Sequence, residues 1–249
     1  MISIDHHDQV AVVKLNRSII NAIGPELVEE LAETLGKVKN DPDVHGVVLS
    51  SSNDKFFSIG LDIPQLFEFA KGDFALFWHA FNKACLDLYT LPKPTIAAIT
   101  GHATAGGCVL ALCCDYRFIA EGKKLMGLNE IKLGVPVPYV ADCILRYLIG
   151  MQRAREIMDS GELFPPSDLL RVGMVDQVFP LEEVLSQAIQ KAKLVGSSPQ
   201  QAFAVIKSNR VEVVKKEILA CLEEKERLFV ECWYSEEASR RLRKAIEKF

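Results

Sequence analysis

Glycine and proline are missing from the last fifty residues: all 15 Gly and 11 Pro of the 249-residue chain lie at or before Pro199. Residues 200–249 therefore lack the usual helix breakers and are predicted to form continuous helix. No run of about eighteen apolar residues occurs, so no transmembrane helix is expected. The seven cysteines show no C-x-x-C spacing and mostly sit in apolar stretches, where the thiol acts as a small hydrophobe. A disulfide framework is not expected in a chain of this length. The five histidines include no H-E-x-x-H pair, which argues against a built-in metal site. A strong charge of either sign is also lacking: 29 basic against 33 acidic residues give −4. That balance implies no general affinity for nucleic acid or an anionic membrane. The start has no basic stretch followed by an apolar one, and together with the thiol usage this predicts a reducing, cytoplasmic setting. A mitochondrial matrix or peroxisomal setting would need a targeting segment ahead of it.

What is present is 49% hydrophobic and 25% charged, the profile of a globular protein with ample core. Strands are predicted over residues 2–4, 9–15, 47–50, 95–100, 116–120 and 175–179. Helices are predicted over 25–39, 73–89, 106–114, 138–148 and 152–159. In the first of these Leu27, Val28, Leu31, Leu35 and Val38 share one face. After Pro180 everything reads as helix, with one break at 196–199. The alternation argues for an α/β fold. Residues 1–198 form the expected core and 199–249 a helical C-terminal region expected to serve assembly and to cover the pocket. No internal repeat is visible.

Three segments carry chemistry. Thr100-Gly101-His102-Ala103-Thr104-Ala105-Gly106-Gly107 joins a buried strand to an apolar helix through small residues. Backbone N–H groups at a helix start have no internal acceptor, and small residues let a ligand atom reach them. The stretch can hold an anion or a developing oxyanion; close helix–strand packing is the other reading. It carries no G-x-G-x-x-G, Gly-Lys-Ser/Thr or G-x-S-x-G signature. In Phe57-Ser58-Ile59-Gly60-Leu61-Asp62, Gly60 can turn the Leu61 N–H toward a ligand, while Asp62 caps the helix after it. Glu130 lies in the apolar, turn-rich stretch 126–136, either solvated or desolvated with a raised pKa suited to general-base work.

Together these segments resemble the enoyl-CoA hydratase/isomerase (crotonase) superfamily. Asn16-Arg17-Ser18-Ile19-Ile20-Asn21-Ala22-Ile23 is similar to its N-R-P-x-x-N-A-L element, and residues 57–62 to F-S-A-G-x-D. Residues 97–107 with 114–120 are similar to A-A-V-N-G-x-A-x-G-G and C-D-x-R-I-A, and 173–178 to G-L-V-D-x-V. The resemblance implies the crotonase α/β spiral of ββα units with a helical C-terminal region, and assembly as a homotrimer or homohexamer. It implies a CoA thioester as substrate and no separate cofactor. The thioester oxygen would be held by the Leu61 and Gly106 N–H groups, with Glu130 as the proton carrier. Substrate contacts are expected at Ala22, Ile59, Gly60, Asp62, Gly107 and Val109.

Hydratases of the superfamily use two glutamates. The first falls here on Val109, which cannot exchange a proton. A double-bond shift needs only one carboxylate to carry a proton between carbons 2 and 4. With Gly127-Leu128-Asn129-Glu130 and residues 163–178, this resembles the mitochondrial-type 3,2-trans-enoyl-CoA isomerases, an activity of fatty-acid β-oxidation. The alternatives are hydration or another acyl-CoA reaction, and a non-catalytic acyl-CoA binder. Val135-Pro136-Val137-Pro138 replaces the usual Gly-Gly-Thr run. His102 reads as structural, and Asp115 and Arg117 as a buried cap or ion pair. Phe74, Phe77, Trp78 and Phe81 read as core or acyl-pocket wall. Lys14, Arg17 and Lys55, with the basic 240–244 run, are candidates for CoA phosphates.

Overall fold

Strand and helix alternate in a way that builds two sheets rather than one. The computed structural model describes residues 1–247. Its strands are β1 (Ile2–His7), β2 (Val10–Leu15), β3 (Gly46–Ser51), β4 (Phe56–Ser58), β5 (Thr95–Ile99), β6 (His102–Thr104), β7 (Tyr116–Ala120), β8 (Met126–Gly127) and β9 (Gln177–Phe179). The large sheet runs β1-β2-β3-β5-β7-β9, with β1 antiparallel to β2 and the later neighbours parallel. The small sheet runs β4-β6-β8, all parallel. Each of β3, β5 and β7 is thus followed by a short strand in the second sheet. This repeated step is a ββα unit, and it matches the expected α/β architecture.

Burial follows from that layering. Every residue of β3 and β5 is buried, as expected of parallel strands covered on both faces. The helices in chain order are α1 (Pro25–Asn40), α2 (Ile63–Phe67), α3 (Lys71–Tyr89), α4 (Gly106–Leu112), α5 (Tyr139–Ile149), α6 (Met151–Ser160), α7 (Pro166–Val172) and α8 (Leu181–Gly196). One face of the large sheet packs on α8 through Val184, Ala188 and Ala192. The other face joins the main core, which includes the inward side of α1 and the α3 aromatics.

The C-terminal region departs from a continuous helix. It forms α9 (Gln200–Trp233), stops at Tyr234 and Ser235, and restarts as α10 (Glu236–Ile246). Serine makes this break without glycine or proline: the Ser235 hydroxyl accepts from the Ala238 N–H at 3.2 Å. The turn folds α10 back over α2 and the Gly134 corner. Residues 248 and 249 of the expected helix lie outside the described residues. Ile218, Phe229 and Trp233 of α9 and Leu242 of α10 share the main core.

A buried ion pair ties α9 to the sheet. Lys207 is 1% exposed and donates to Asp115 at 2.8 Å and to the Lys93 carbonyl at 3.1 Å. Arg210 meets the other Asp115 oxygen at 2.6 Å, and Arg117 pairs with Asp176 at 2.9 Å. Both expected ion-pair residues are therefore structural. Lys207→Met should cost about 2–3 kcal/mol in urea unfolding, because it strands part of a buried carboxylate that Arg210 still partly neutralises. A loss below about 0.5 kcal/mol would mean that α9 docks by packing alone.

Candidate active site

The order β4-β6-β8 brings three chain segments side by side. Ile59 to Leu61 follow β4, Ala105 and Gly106 follow β6, and Leu128 to Glu130 follow β8. They emerge from the carboxyl ends of adjacent parallel strands, where ligand crevices in α/β proteins form. They wall a cavity of about 690 Å³, to which Ile59, Leu61, Gly106 and Glu130 all contribute.

The Leu61 turn is held from behind. Ser58, fully buried, donates to the Asn21 carbonyl at 2.8 Å and accepts from the Gly60 N–H at 3.1 Å. Gly60 sits at φ +94°, where a side chain is strained. A Cβ there would fall 2.9 Å from the Gly106 nitrogen, so the two backbones are in contact. The Gly60 carbonyl accepts from Ile23 N–H at 2.8 Å, and Asp62 N–H donates to the Ile23 carbonyl at 2.9 Å. Because these bonds face Ile23, the Leu61 N–H between them points to the opposite side.

Gly106 opens α4. Its N–H therefore has no intrahelical acceptor, and the helix start carries partial positive charge. The residue before it, Ala105, adopts φ 47° and ψ −120°, a costly conformation for a residue with a Cβ. It is fixed by its own N–H donating to the Gly127 carbonyl at 2.9 Å. Thr104 Oγ1 donates to the Ile59 carbonyl at 2.8 Å and locks the two loops together. Leu61 and Gly106, both on the lining of one cavity, are thus held by cross-braced turns.

Glu130 begins a 3-10 turn over Glu130–Leu133. It is 4% exposed, and its Oε2 has no hydrogen-bond partner. Burial pushes its pKa up to about 8, offset only partly by its own backbone N–H. No other carboxylate lines this cavity among the described residues. The mouth is cationic: Lys132, Arg240, Arg241 and Lys244 line it, with Arg241 donating to the Lys132 carbonyl at 3.1 Å. The inner wall is apolar, with Trp78 and Phe81 from α3 and Phe229 and Trp233 from α9.

Of the expected substrate contacts, Ile59 lines the cavity. Ala22, Gly60, Asp62, Gly107 and Val109 do not line the cavity. Val109 is 0% exposed and packs into the core one turn inside α4. A Cβ on Gly107 would lie 2.3 Å from the Ser58 carbonyl oxygen, so its smallness lets α4 approach β4 rather than admitting a ligand. Asp62 caps α2 through Gln65 N–H at 3.1 Å and pairs with Arg17 at 2.6 Å. Arg17 also donates to the Ala22 carbonyl at 2.6 Å. Lys14 pairs with Asp5, and Lys55 lies by the Phe56 ring. The ring of His102 accepts from the Leu125 N–H at 3.1 Å and stays outside the cavity. Helices α9 and α10 contribute Phe229, Trp233, Arg240, Arg241, Lys244 and Ala245 to the lining.

A family profile described as enoyl-CoA hydratase/isomerase matches residues 5–249. The chain is 36% identical over 200 residues to the human mitochondrial enoyl-CoA delta isomerase 1, covering 80% of this chain and 66% of that protein. The chain thus spans slightly under two thirds of that curated relative. It is 29% identical over 246 residues to the short-chain-enoyl-CoA hydratase of Clostridium acetobutylicum, covering 98% of this chain and 94% of that protein. The crystal structure of human mitochondrial delta3-delta2-enoyl-CoA isomerase superimposes with a TM-score of 0.95 at 30% identity, over 99% of this chain and 97% of that one.

Proposed function

Because this chain belongs to the enoyl-CoA hydratase/isomerase family, we propose that it converts 3-enoyl-CoA thioesters to trans-2-enoyl-CoA. The observation that carries this reading is the solitary carboxyl group: Glu130 lines the cavity and Val109 is apolar and sealed in the core. The thioester oxygen sits between the Leu61 and Gly106 N–H groups. Glu130, as carboxylate, takes a proton from carbon 2; the electron pair delocalises toward the thioester oxygen as a dienolate. Glu130, now the acid, returns that proton to carbon 4, leaving the double bond between carbons 2 and 3. No water is consumed and no redox partner is needed, so the reaction balances with coenzyme A as part of the substrate. Preorganised N–H donors stabilise the dienolate oxygen more than the ground-state carbonyl, which is the source of acceleration.

The test is a comparison of two substrates on one preparation. A 3-enoyl-CoA should be turned over to the 2-enoyl product, whereas water addition to a 2-enoyl-CoA should run at least about 100-fold slower, because no second carboxylate lines the cavity among the described residues to activate water. Faster hydration than isomerisation would overturn the reading in favour of a hydratase, the activity named for the Clostridium acetobutylicum relative. Binding without turnover of either would leave a non-catalytic acyl-CoA binder.

The same reading directs the CoA phosphates to the cationic mouth. Arg240 and Arg241 already pair with Glu237, and Lys132 with Glu162. Lys244 has no ion pair among the described residues. Lys244→Ala should raise KM for a CoA thioester about fivefold and leave KM for the matching pantetheine thioester unchanged. Equal effects on both would place the phosphates elsewhere. Assembly as a homotrimer or homohexamer is part of the proposal, supported by the exposed Val205, Ile206 and Val213 on α9. A monomer in sedimentation equilibrium would overturn it.

A further inference from the structure

A second cavity of about 410 Å³ adjoins the first. The two share Trp78, Val135 and Phe229 as walls, and the Trp78 and Phe229 rings stack with centroids 3.7 Å apart. Leu222, Leu228 and Met158 make much of its remaining wall apolar. Two polar groups on it, one buried and one half-buried, have no part in the chemistry proposed above. Asn82 of α3 is 2% exposed, and its Nδ2 donates to the Trp78 carbonyl at 3.0 Å. That bond fixes the amide: the flipped form would set two acceptors face to face. The Asn82 Oδ1 is therefore the atom left buried without a partner. Glu226 of α9 accepts from the His79 ring at 3.1 Å through Oε2, and its Oε1 is also buried without a partner.

Both unpaired atoms are acceptors, and a buried acceptor is costly until it meets a donor. The lining carries three carboxylates, Asp142, Asp159 and Glu226, against one cation, Lys225. Resting on the reading of the first cavity as the acyl-thioester site, we propose that the second cavity receives the far end of the acyl chain. Asn82 and Glu226 there select chains whose end donates a hydrogen bond, a hydroxyl or an amine. A methyl end leaves both acceptors unpaired. A carboxylate end meets two acceptors and an acidic lining, and is rejected.

Binding of saturated acyl-CoAs, followed by the fluorescence of Trp78 and Trp233, tests this without requiring turnover. Chains of matched length ending in methyl, hydroxyl, amine or carboxylate are titrated across a length series. At the length that reaches Asn82, hydroxyl and amine ends should bind about tenfold tighter than methyl, and carboxylate weakest. Asn82→Leu should erase the advantage and leave methyl-ended chains at least as tightly bound; Glu226→Gln, at a less enclosed site, should halve it or more. If methyl ends bind as tightly as hydroxyl and amine ends at every length, or if the advantage survives both variants, the second cavity does not read the chain end. If no acyl-CoA binds at all, the thioester reading of the first cavity falls too.

Discussion

Replacing Glu130 by Gln is expected to slow isomerisation of a 3-enoyl-CoA by about 10²- to 10⁴-fold with little change in KM. The amide keeps the shape of the side chain and removes the one carboxylate that lines the cavity among the described residues, the proposed proton carrier between carbons 2 and 4. Uniform loss of binding with kcat retained would overturn the assignment. The pH dependence gives a second handle. The carboxyl is held up to about 8 by burial, against 4.5 for an ordinary glutamate. The base form is the active one, so kcat/KM should rise about tenfold per pH unit below that value and level off above it.

The same shift fixes the sign of a stability effect. Below about pH 4.5 the carboxyl is protonated in both folded and unfolded chains. Between that point and about pH 8 the unfolded chain has released the proton and the folded one retains it. Folding then takes up a proton, and stability falls as pH rises through the window. The contribution is fully present below the lower value and lost above the upper one, on the order of 5 kcal/mol in all. Glu130→Gln should flatten this slope in urea unfolding and be more stable than its parent at pH 9. An unchanged slope would mean that Glu130 is solvated in the resting protein.

How much of this could be read beforehand depends on the range of the signal. The apolar runs 47–49 in β3 and 96–99 in β5 announce burial on both faces. Gly60, Gly106 and Glu130 stand in motifs whose spacing the fold preserves, because each follows a strand of the small sheet. The side of the backbone on which a residue falls was not legible. Asp62, Gly107 and Val109 neighbour the donors in sequence, yet Asp62 caps α2, Gly107 packs on Ser58 and Val109 lies in the core. Nor was the inner wall legible as a unit. Trp78 and Phe229 stack although they are far apart in the chain, and no local periodicity encodes that pairing. The restart at Ser235 escaped because a serine N-cap starts a new helix with no glycine or proline before it. That restart is what brings Arg241 and Lys244 to the mouth.

Gly60→Ala should be the most damaging substitution that leaves every reacting side chain in place. At φ +94° an added Cβ is strained in itself, and it would lie 2.9 Å from both the Gly106 nitrogen and the Ala105 Cβ. Neither neighbour can retreat cheaply. Ala105 is already in a strained conformation, and Gly106 is committed to the first turn of α4. The two N–H donors must therefore separate, and the dienolate oxygen loses one of them. Loss of one such donor is worth about 10²- to 10³-fold in kcat, alongside about 1–3 kcal/mol of folding strain. Ser58→Ala separates the two effects. It removes the acceptor of the Gly60 N–H without adding bulk, so the turn loosens instead of being forced apart. Stability should fall by about 1–3 kcal/mol while kcat falls about tenfold, less than for Gly60→Ala. If both variants lose stability equally and keep full kcat, the thioester oxygen is held elsewhere and the Leu61–Gly106 pair is only a packing contact. If Gly60→Ala alone collapses kcat with substrate binding intact, the glycine is there to set the distance between two backbone amides.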